Sequence, residues 1–280
     1  MNRRKTYPVV LSIAGSDSSG GAGIQADIKT FSALGVYGAT AITAITAQNT
    51  MGVHSQYAID PQMVYEQIMA VVCDLHPRVV KIGMLSNEEI VRAVATALRN
   101  YHLPIILDPV MVSSSGHRLL SVEAERVIRR ELLPITTLVT PNIPEMQRLT
   151  DMPLSSYEEK RLAAQCLMAQ GAGAVLVKGG HEDGDTKSDI LFQRSTSGIE
   201  SSLFSSETIQ TNNIHGTGCT LSAAIAAYMA RGLDLCEAVA EAKRYISEAI
   251  RHGADVSVGS GFGPVNHGFN PQKMLINEEL

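Results

Sequence analysis

The stretch HGTGCT, residues 215–220, combines the features of an anion site with those of a reactive thiol. The small apolar residues that follow predict a helix, which places Gly216, Thr217, Gly218 and Cys219 at its N-terminus. Free backbone N–H groups and the positive end of the helix dipole bind anions such as phosphate there. The same surroundings lower the pKa of a thiol, so we expect Cys219 to be reactive rather than a buried cap of a core helix.

Two further motifs carry residues that suit phosphate chemistry. Lys178 ends the apolar run AVLVK and precedes two glycines, and a lysine in that position needs an anionic partner such as a nucleotide phosphate. Asn142 and Glu145 follow the run TLVTP, three residues apart on one side of a predicted first helical turn. Glu145 could hold Mg²⁺ through water, or the two residues could form a capping box that only begins a helix. The sequence leaves both interpretations open.

The segment SSGGAGIQAD, residues 18–27, follows the apolar run PVVLSIAG and contains G-x-G-x-x-A, one form of the dinucleotide-binding fingerprint. That fingerprint requires an acidic residue about 20 positions later, at the end of the second strand. Here the second run ends in AQNT, and no Asp or Glu occurs between Asp27 and Asp60. A nicotinamide-dependent oxidoreductase is therefore the weaker alternative, and Gln48 could bind either a sugar or the edge of a heterocycle.

Short apolar runs alternate with amphipathic stretches and supply the elements that must position these residues. Because the runs are continuously apolar, they indicate a mainly parallel sheet buried on both faces by helices. The predicted strands are 8–15, 37–46, 79–83, 104–110, 137–141 and 174–180, with antiparallel edge strands at 189–193 and 207–211. The predicted helices are 22–34, 61–74, 86–100, 121–132, 143–150, 157–170, 218–231 and 235–252. Since ligands bind at the carboxyl ends of such strands, we expect one composite site there.

Composition argues against several classes of function. The chain has 280 residues, of which 45% are hydrophobic and 18% charged, as is typical of a well-buried enzyme. A net charge of -5 gives no diffuse basic field for nucleic acid or a membrane surface. Four cysteines without a C-x-x-C pair argue against a zinc site or disulfide framework and favour the cytoplasm. We expect a single domain, 1–280, with neither nucleic acid nor membrane as a partner.

In chain order, several stretches resemble the hydroxymethylpyrimidine/phosphomethylpyrimidine kinase family of thiamine biosynthesis, over nearly the whole length. They are SIAGSDSSGGAGIQAD, AITAQNT, KIGML, DPVM, TPNIPE, VLVKGGH and HGTGCTLSAAIA. The resemblance implies the ribokinase-like fold, a three-layer α/β/α sandwich with antiparallel edge strands, and a homodimer. It also implies ATP-dependent phosphorylation of hydroxymethylpyrimidine and then of its monophosphate, with ATP as co-substrate and Mg²⁺ as cofactor.

The resemblance further assigns roles to individual residues. Cys219 is implied as the base or positioning group for the acceptor hydroxyl, with the amides of Gly216, Thr217 and Gly218 as the anion hole. The residues implied to form the pyrimidine pocket are Gly15, Ala22, Gly23, Asp27, Gln48, Met84 and Val110. Those implied to bind ATP are Asn142, Lys178 and Thr217, and those implied to organise the metal are Asp108 and Glu145.

Three places depart from the family pattern. Ile214 stands where a threonine is usual, the serines at 113–115 follow DPVMV where a lysine is common, and Ser260 lies between two glycines where a lysine is frequent. The two missing lysines leave fewer positive charges to bind a phosphorylated substrate. The sequence therefore supports the second phosphorylation less strongly than the first. Many relatives, pyridoxal kinases included, carry aspartate where Cys219 stands, so the cysteine favours the aminopyrimidine. A pyridoxal kinase is the alternative with the same fold.

Overall fold

The computed structural model describes residues 4–113, 116–180 and 184–279. Its strands are β1 (Arg4–Thr6), β2 (Val9–Asp17), β3 (Tyr37–Asn49), β4 (Gly52–Ala58), β5 (Val79–Ile82), β6 (Ile105–Leu107), β7 (Leu138–Val139), β8 (Ala174–Lys178), β9 (Thr186–Ser195), β10 (Gly198–Glu207) and β11 (Asn277–Glu279). Its helices are α1 (Gly23–Ala33), α2 (Pro61–Leu75), α3 (Glu88–Leu98), α4 (Val122–Val127), α5 (Ile143–Thr150), α6 (Tyr157–Ala169), α7 (Thr217–Ala230) and α8 (Leu235–Arg251).

Nine strands form one sheet in the order β10-β9-β8-β7-β6-β5-β2-β3-β4. Neighbours from β3 to β8 pair in parallel. At one edge β4 pairs antiparallel with β3, and at the other β9 pairs antiparallel with β8 and β10. The predicted mainly parallel sheet with antiparallel edges is confirmed. A separate small sheet joins β1 to β11 near the two ends of the chain.

Helices cover both faces of the sheet, because successive residues of the parallel strands point to opposite sides. Leu11 and Ile13 of β2 belong to a core that includes residues of α2, α3, α4, α5 and α6. Val10 belongs to the opposite core, which includes residues of α1, α7 and α8. No helix in the described part of the chain is both long and apolar enough to cross a bilayer.

Two edge strands differ from the sequence-based prediction. The predicted strand at 207–211 is wrong, because the pairing with β9 is made by β10, which ends at Glu207. The strand β4 was not predicted. Both edge strands alternate or mix polar and apolar residues and are largely exposed, so they lack the continuous apolar run that marks a buried strand. In addition, the helix predicted over 121–132 changes at Ile128 from α4 to a π-helical segment.

A buried ion pair connects α1 to the middle of the sheet. Lys81 Nζ of β5 lies 2.9 Å from Asp27 Oδ2 of α1, and both side chains are fully buried. The Ser12 hydroxyl donates a hydrogen bond of 2.6 Å to the same oxygen. Asp27 Oδ1 has no hydrogen-bond partner among the described residues. The Lys81 ammonium is therefore the principal partner of this buried carboxylate.

Replacing Lys81 with methionine tests how much this ion pair contributes to the stability of the fold. We expect Lys81→Met to lower the free energy of unfolding at pH 7 by about 3–5 kcal/mol, because Asp27 stays buried without its cation. In the variant the pKa of Asp27 is higher in the folded than in the unfolded state, so the folded state binds the proton more readily. Stability is then lost as pH rises, and the defect should be smaller at pH 5 than at pH 7. Urea denaturation at both pH values measures this.

The exposed ion pair between Arg161 and Glu158 provides the control, since its side chains are 36% and 58% exposed. Arg161→Met should leave the free energy of unfolding nearly unchanged. Equal losses for Lys81→Met and Arg161→Met, or a Lys81→Met defect independent of pH, would contradict the assignment.

Candidate active site

A cavity of about 600 Å³ opens at the carboxyl ends of the parallel strands. It is bordered by every residue that the sequence placed in the site except Asp27. Those residues are Gly15, Ala22, Gly23, Gln48, Met84, Asp108, Val110, Asn142, Glu145, Lys178, Gly216, Thr217, Gly218 and Cys219. The structure thus brings these residues together around one cavity at this edge of the sheet.

Two glycine-rich loops meet at the centre of the cavity wall. Gly216, the residue before α7, has a φ of 81°, and a Cβ there would overlap the carbonyl oxygen of Gly21. Gly23, the first residue of α1, has a φ of 57°, and a Cβ there would overlap the carbonyl oxygen of Gly15. Only glycine fits these positions, because both the backbone conformation and the space exclude a side chain. The N-termini of α1 and α7 are thereby brought together.

Asp17, at the end of β2, shapes the first of these loops. Its Oδ1 accepts hydrogen bonds from the amide and hydroxyl of Ser19 at 2.8 and 2.7 Å. Its Oδ2 accepts from the amides of Gly21 and Ala22 at 3.1 and 2.8 Å and lies 2.8 Å from His215 Nε2. Burial opposes ionisation, but the hydrogen bonds from His215, Ser19 and Ala22 outweigh it and lower the pKa of Asp17 to about 2. The loop amides are thus occupied by a side chain, which argues against a pyrophosphate cradle.

Cys219 lies in the first turn of α7, where the sequence placed it. The nearby backbone amide of Gly23 favours the thiolate form of this residue. However, burial raises the pKa of the Cys219 thiol to about 11, although the nearby Lys81 ammonium opposes this. The prediction of a lowered pKa is wrong, because enclosure of the sulfur and the charges of Asp27 and Asp108 outweigh the cation and the amide. At neutral pH the group is a thiol.

Lys178, Asp108 and Glu145 form a buried cluster beside this thiol. Lys178 Nζ lies 2.7 Å from Asp108 Oδ1 and 3.9 Å from Glu145 Oε2. Burial favours the neutral lysine, but the charges of Asp108 and Glu145 prevail and raise the pKa of Lys178. Burial is stronger than the attraction to Lys178 at Glu145, and it raises the pKa of that carboxyl to about 7. The cluster therefore holds a charged lysine next to a carboxyl that titrates near neutrality.

Asn142 and Glu145 also form a complete capping box at the start of α5. The backbone N–H of Asn142 donates a hydrogen bond to Glu145 Oε2, and the backbone N–H of Glu145 donates one to Asn142 Oδ1, both at 2.8 Å. The interpretation of these two residues as a capping box is thus confirmed. Glu145 also borders the cavity. Within 4–113, 116–180 and 184–279, no group of three or more His, Cys, Asp or Glu residues is arranged to hold a metal ion by itself. The remaining donor set, Asp108 and Glu145, suits a Mg²⁺ ion held through water together with phosphate oxygens.

The other half of the cavity combines an apolar surface with one amide. Met84 packs with Leu119 and Val110 in a small apolar cluster, and a Cβ on Gly15 would lie 3.0 Å from the Met84 sulfur. The Gln48 side chain accepts a hydrogen bond from Thr46 and lies 3.3 Å from His215 Nε2. Apolar walls with a few fixed polar groups are typical of a site for a small flat ring.

Asp27 departs from its predicted place. It does not border the cavity but lies beneath it, in the ion pair with Lys81. A carboxylate so placed positions the start of α1 and does not contact a ligand in the cavity. Sequence reasoning also left Asp17 and His215 without roles, although the polar end of the run SIAGSD and the histidine before the GTG motif were visible. Of the three amides predicted to form an anion hole at the start of α7, that of Thr217 is already used, since it donates a hydrogen bond to the carbonyl of Ile214 at 3.3 Å.

Comparison with known proteins agrees with this geometry. The sequence model of the phosphomethylpyrimidine kinase family matches residues 17–266. A hydroxymethylpyrimidine/phosphomethylpyrimidine kinase of Rhizobium meliloti is 48% identical over 260 residues, which cover 92% of this chain and 96% of the relative. A similar kinase of Escherichia coli is also 48% identical, over 92% of this chain and 96% of its own.

Solved structures give the same answer. The phosphomethylpyrimidine kinase of Clostridium difficile is similar with a TM-score of 0.75 and 42% identity, covering 87% of this chain and 99% of its own. An ADP complex of Bacillus subtilis pyridoxal kinase has a TM-score of 0.84 and 35% identity, covering 94% of this chain and 98% of its own. The fold is therefore ribokinase-like and the activity is that of a kinase. With its family model matched over most of its length, the chain belongs to the phosphomethylpyrimidine kinase family.

Proposed function

We propose that the protein transfers phosphate from ATP to hydroxymethylpyrimidine, and then to phosphomethylpyrimidine, in thiamine biosynthesis. The observation that carries the proposal is the position of Cys219. It lies in the first turn of α7 and borders the same cavity as the cluster of Lys178, Asp108 and Glu145 and the pocket residues Gln48, Met84 and Val110. A ring in that pocket would direct its hydroxymethyl group toward the thiol.

The chain contributes mainly positioning and electrostatic stabilisation. The amides of Gly218 and Cys219 have no acceptor among the described residues and would bind the oxygens of the transferred phosphoryl group. Lys178 would bind the same group, with Asp108 holding its ammonium in place. Because phosphoryl transfer has a loose transition state, the acceptor hydroxyl needs orientation more than a strong base. A neutral Cys219 thiol suits that role.

Asp108, Glu145 and Asn142 complete the nucleotide side of the proposal. Asp108 and Glu145 would hold Mg²⁺ through water, and Asn142 would fix Glu145 through the capping box. When bound, the ion neutralises charge on the phosphates. Support comes from the carboxylates that border the cavity beside Lys178.

A pyridoxal kinase is the second candidate, since solved pyridoxal kinases share the fold with TM-scores of 0.84 and 0.85. The higher identity to pyrimidine kinases, 48% against 35%, favours the pyrimidine. A nicotinamide-dependent oxidoreductase is rejected, because Asp17 occupies the amides of the first glycine loop and the relatives are kinases.

We further propose that residues 1–280 form one cytoplasmic domain that assembles as a homodimer. One sheet with both faces covered supports the single domain. At the sheet edge, Ile45 of β3 and Tyr57 of β4 are 51% and 73% exposed, which gives an apolar surface suited to a second copy. The mass of the particle from sedimentation equilibrium decides between monomer and dimer.

The pocket assignment is tested by replacing Gln48. In a coupled ADP-release assay we expect a higher kcat/KM for hydroxymethylpyrimidine than for pyridoxal. Gln48→Ala should raise KM for the pyrimidine roughly five- to 150-fold, the equivalent of about 1–3 kcal/mol for a lost buried hydrogen bond, and leave KM for ATP within about twofold. The control is Gln56→Ala on β4, which removes a side-chain amide that donates a hydrogen bond to the Ser86 hydroxyl. A preference for pyridoxal, or equal effects on both substrates, would contradict the proposal.

Cys219 is tested by its reactivity as well as by its loss. Since its pKa is about 11, the rate of alkylation by iodoacetamide should still rise through pH 9 without a plateau, and bound pyrimidine should slow it. Cys219→Ala should lower kcat by about 100-fold, at the lower end of the usual effect of such groups, with little change in KM. The exposed Cys73 is the control, and Cys73→Ser should keep kcat. A plateau near pH 7, or full kcat in Cys219→Ala, would show that the assigned role is wrong.

The metal assignment predicts a pH dependence. Glu145 ionises as pH rises through about 7 and only then becomes a good partner for a hydrated cation. The apparent affinity for Mg²⁺, measured from initial rates at limiting Mg²⁺, should therefore increase between about pH 6 and pH 8. Glu145→Gln should remove that increase, whereas Glu66→Gln, at an exposed carboxyl of α2, should keep it. An unchanged pH dependence in Glu145→Gln would exclude Glu145 from the metal site.

A further inference from the structure

Two arginines share one carboxylate at the rim of the cavity. Glu125 of α4 accepts hydrogen bonds at Oε1 from Arg118 Nη2, at 3.0 Å, and from Arg148 Nη2. The Glu125 side chain is only 10% exposed, whereas those of Arg118 and Arg148 are 48% and 39% exposed. The group therefore consists of a nearly buried anion that holds two partly exposed cations, with one positive charge in excess.

The backbone around this group leads directly to the active site. Arg148 lies on α5 three residues after Glu145, so the two side chains share one side of the helix, and both border the cavity. Arg118 pairs through its backbone with Val112, which also borders the cavity. The Arg118 guanidinium is fixed further by a hydrogen bond of 2.8 Å from Nε to the carbonyl of Leu120. Both arginines are thus held on elements that form the wall of the site.

The rest of the cavity offers little unbalanced positive charge. Five carboxylates border the cavity, against three lysine side chains besides Arg148. Lys178 lies against Asp108 and Glu145, and Lys243 lies 2.8 Å from Asp189. A ligand that carries several phosphate charges needs cations in excess. Arg148 is the lining cation whose partner, Glu125, is shared with a second arginine.

The guanidinium of Arg148 is also free to make further contacts. One of its five N–H groups is used for Glu125, and no other acceptor bonds to it among the described residues. A planar guanidinium presents paired donors that match phosphate oxygens. Because Glu125 already orders the side chain, little conformational entropy remains to be lost on binding.

We propose that Arg148, held in place by Glu125 and Arg118, binds a phosphate group of a ligand at the rim of the cavity. The inference rests on the proposed function for the identity of the ligands. The phosphate belongs either to the nucleotide or to phosphomethylpyrimidine, since both carry the same chemical group. In this assignment Arg148 contacts the ligand, while Glu125 and Arg118 are positioning residues.

Calorimetry with two matched pairs of ligands separates the two sources. The nucleotide pair is the non-hydrolysable ATP analogue AMP-PNP and adenosine, and the substrate pair is phosphomethylpyrimidine and hydroxymethylpyrimidine. Arg148→Met should raise the Kd of the phosphorylated member of one pair by about tenfold, as expected for a lost charge-assisted hydrogen bond. The Kd of the unphosphorylated member of that pair should not change. The pair that responds identifies the source of the phosphate. Arg148→Lys should recover part of the loss because it keeps the charge.

Controls distinguish binding from a purely structural role. Arg129→Met removes a partly exposed arginine that bonds to the carbonyl of Leu149 but does not border the cavity, and it should leave all four Kd values unchanged. Glu125→Gln keeps both guanidiniums and should weaken binding less than Arg148→Met. If Arg148→Met does not fold, Arg148→Lys is compared with Arg129→Lys. Arg148→Lys should then raise the Kd of the phosphorylated ligand alone, and Arg129→Lys should change none of the Kd values.

The proposal is overturned if Arg148→Met binds all four ligands as the wild type does, weakens all four equally, or only lowers Tm. Failure of the proposed function is a separate result. If the wild-type protein binds neither pyrimidine, the substrate assignment fails, whereas the comparison of AMP-PNP with adenosine still tests Arg148.

Discussion

The close approach of two glycine-rich loops is the constraint on which the site depends. Gly216 reaches its positive φ directly against the carbonyl of Gly21, and Gly23 does the same against Gly15. Without side chains between them, the N-termini of α1 and α7 lie side by side, and Gly23 and Cys219 border the same cavity. The bond between Asp17 and His215 joins the same two loops through side chains. Segments separated by 198 residues of chain thereby form one wall of the cavity.

Buried ion pairs also hold the elements around the cavity in place. Lys81 and Asp27 connect α1 to the sheet beneath the cavity, and Lys178 at the end of β8 pairs with Asp108, the residue after β6, at the cavity wall. Such pairs are costly to bury but are already oriented before a ligand arrives, which is the condition for electrostatic catalysis without reorganisation. The same burial explains why Cys219 remains a thiol at neutral pH. Orientation of the acceptor, rather than a standing thiolate, is therefore the role that this environment supports.

Much of this arrangement could be predicted from the sequence, for physical reasons that differ between elements. Continuous apolar runs identified the parallel strands, and amphipathic stretches identified the helices, with starts within two residues of those observed. The largely exposed strands β4 and β10 lack that pattern, so pairing with a neighbour rather than burial determines them.

Spacing placed Cys219 at a helix start but could not show its enclosure, and hence gave the wrong direction for its pKa. The ion pair of Asp27 with Lys81 and the arginines around Glu125 join distant segments, which no local pattern records. Of the serines expected to replace a lysine, Ser114 and Ser115 lie outside the described residues.

The central claim is that Cys219 and the start of α7 bring the acceptor hydroxyl and the transferred phosphate together. A crystal structure of the protein with hydroxymethylpyrimidine and AMP-PNP tests it most directly. The account predicts the hydroxymethyl oxygen within hydrogen-bond distance of Cys219 Sγ, the ring against Met84 and Val110, and the terminal phosphate on the amides of Gly218 and Cys219. A ring bound elsewhere, or a terminal phosphate remote from the start of α7, would contradict it.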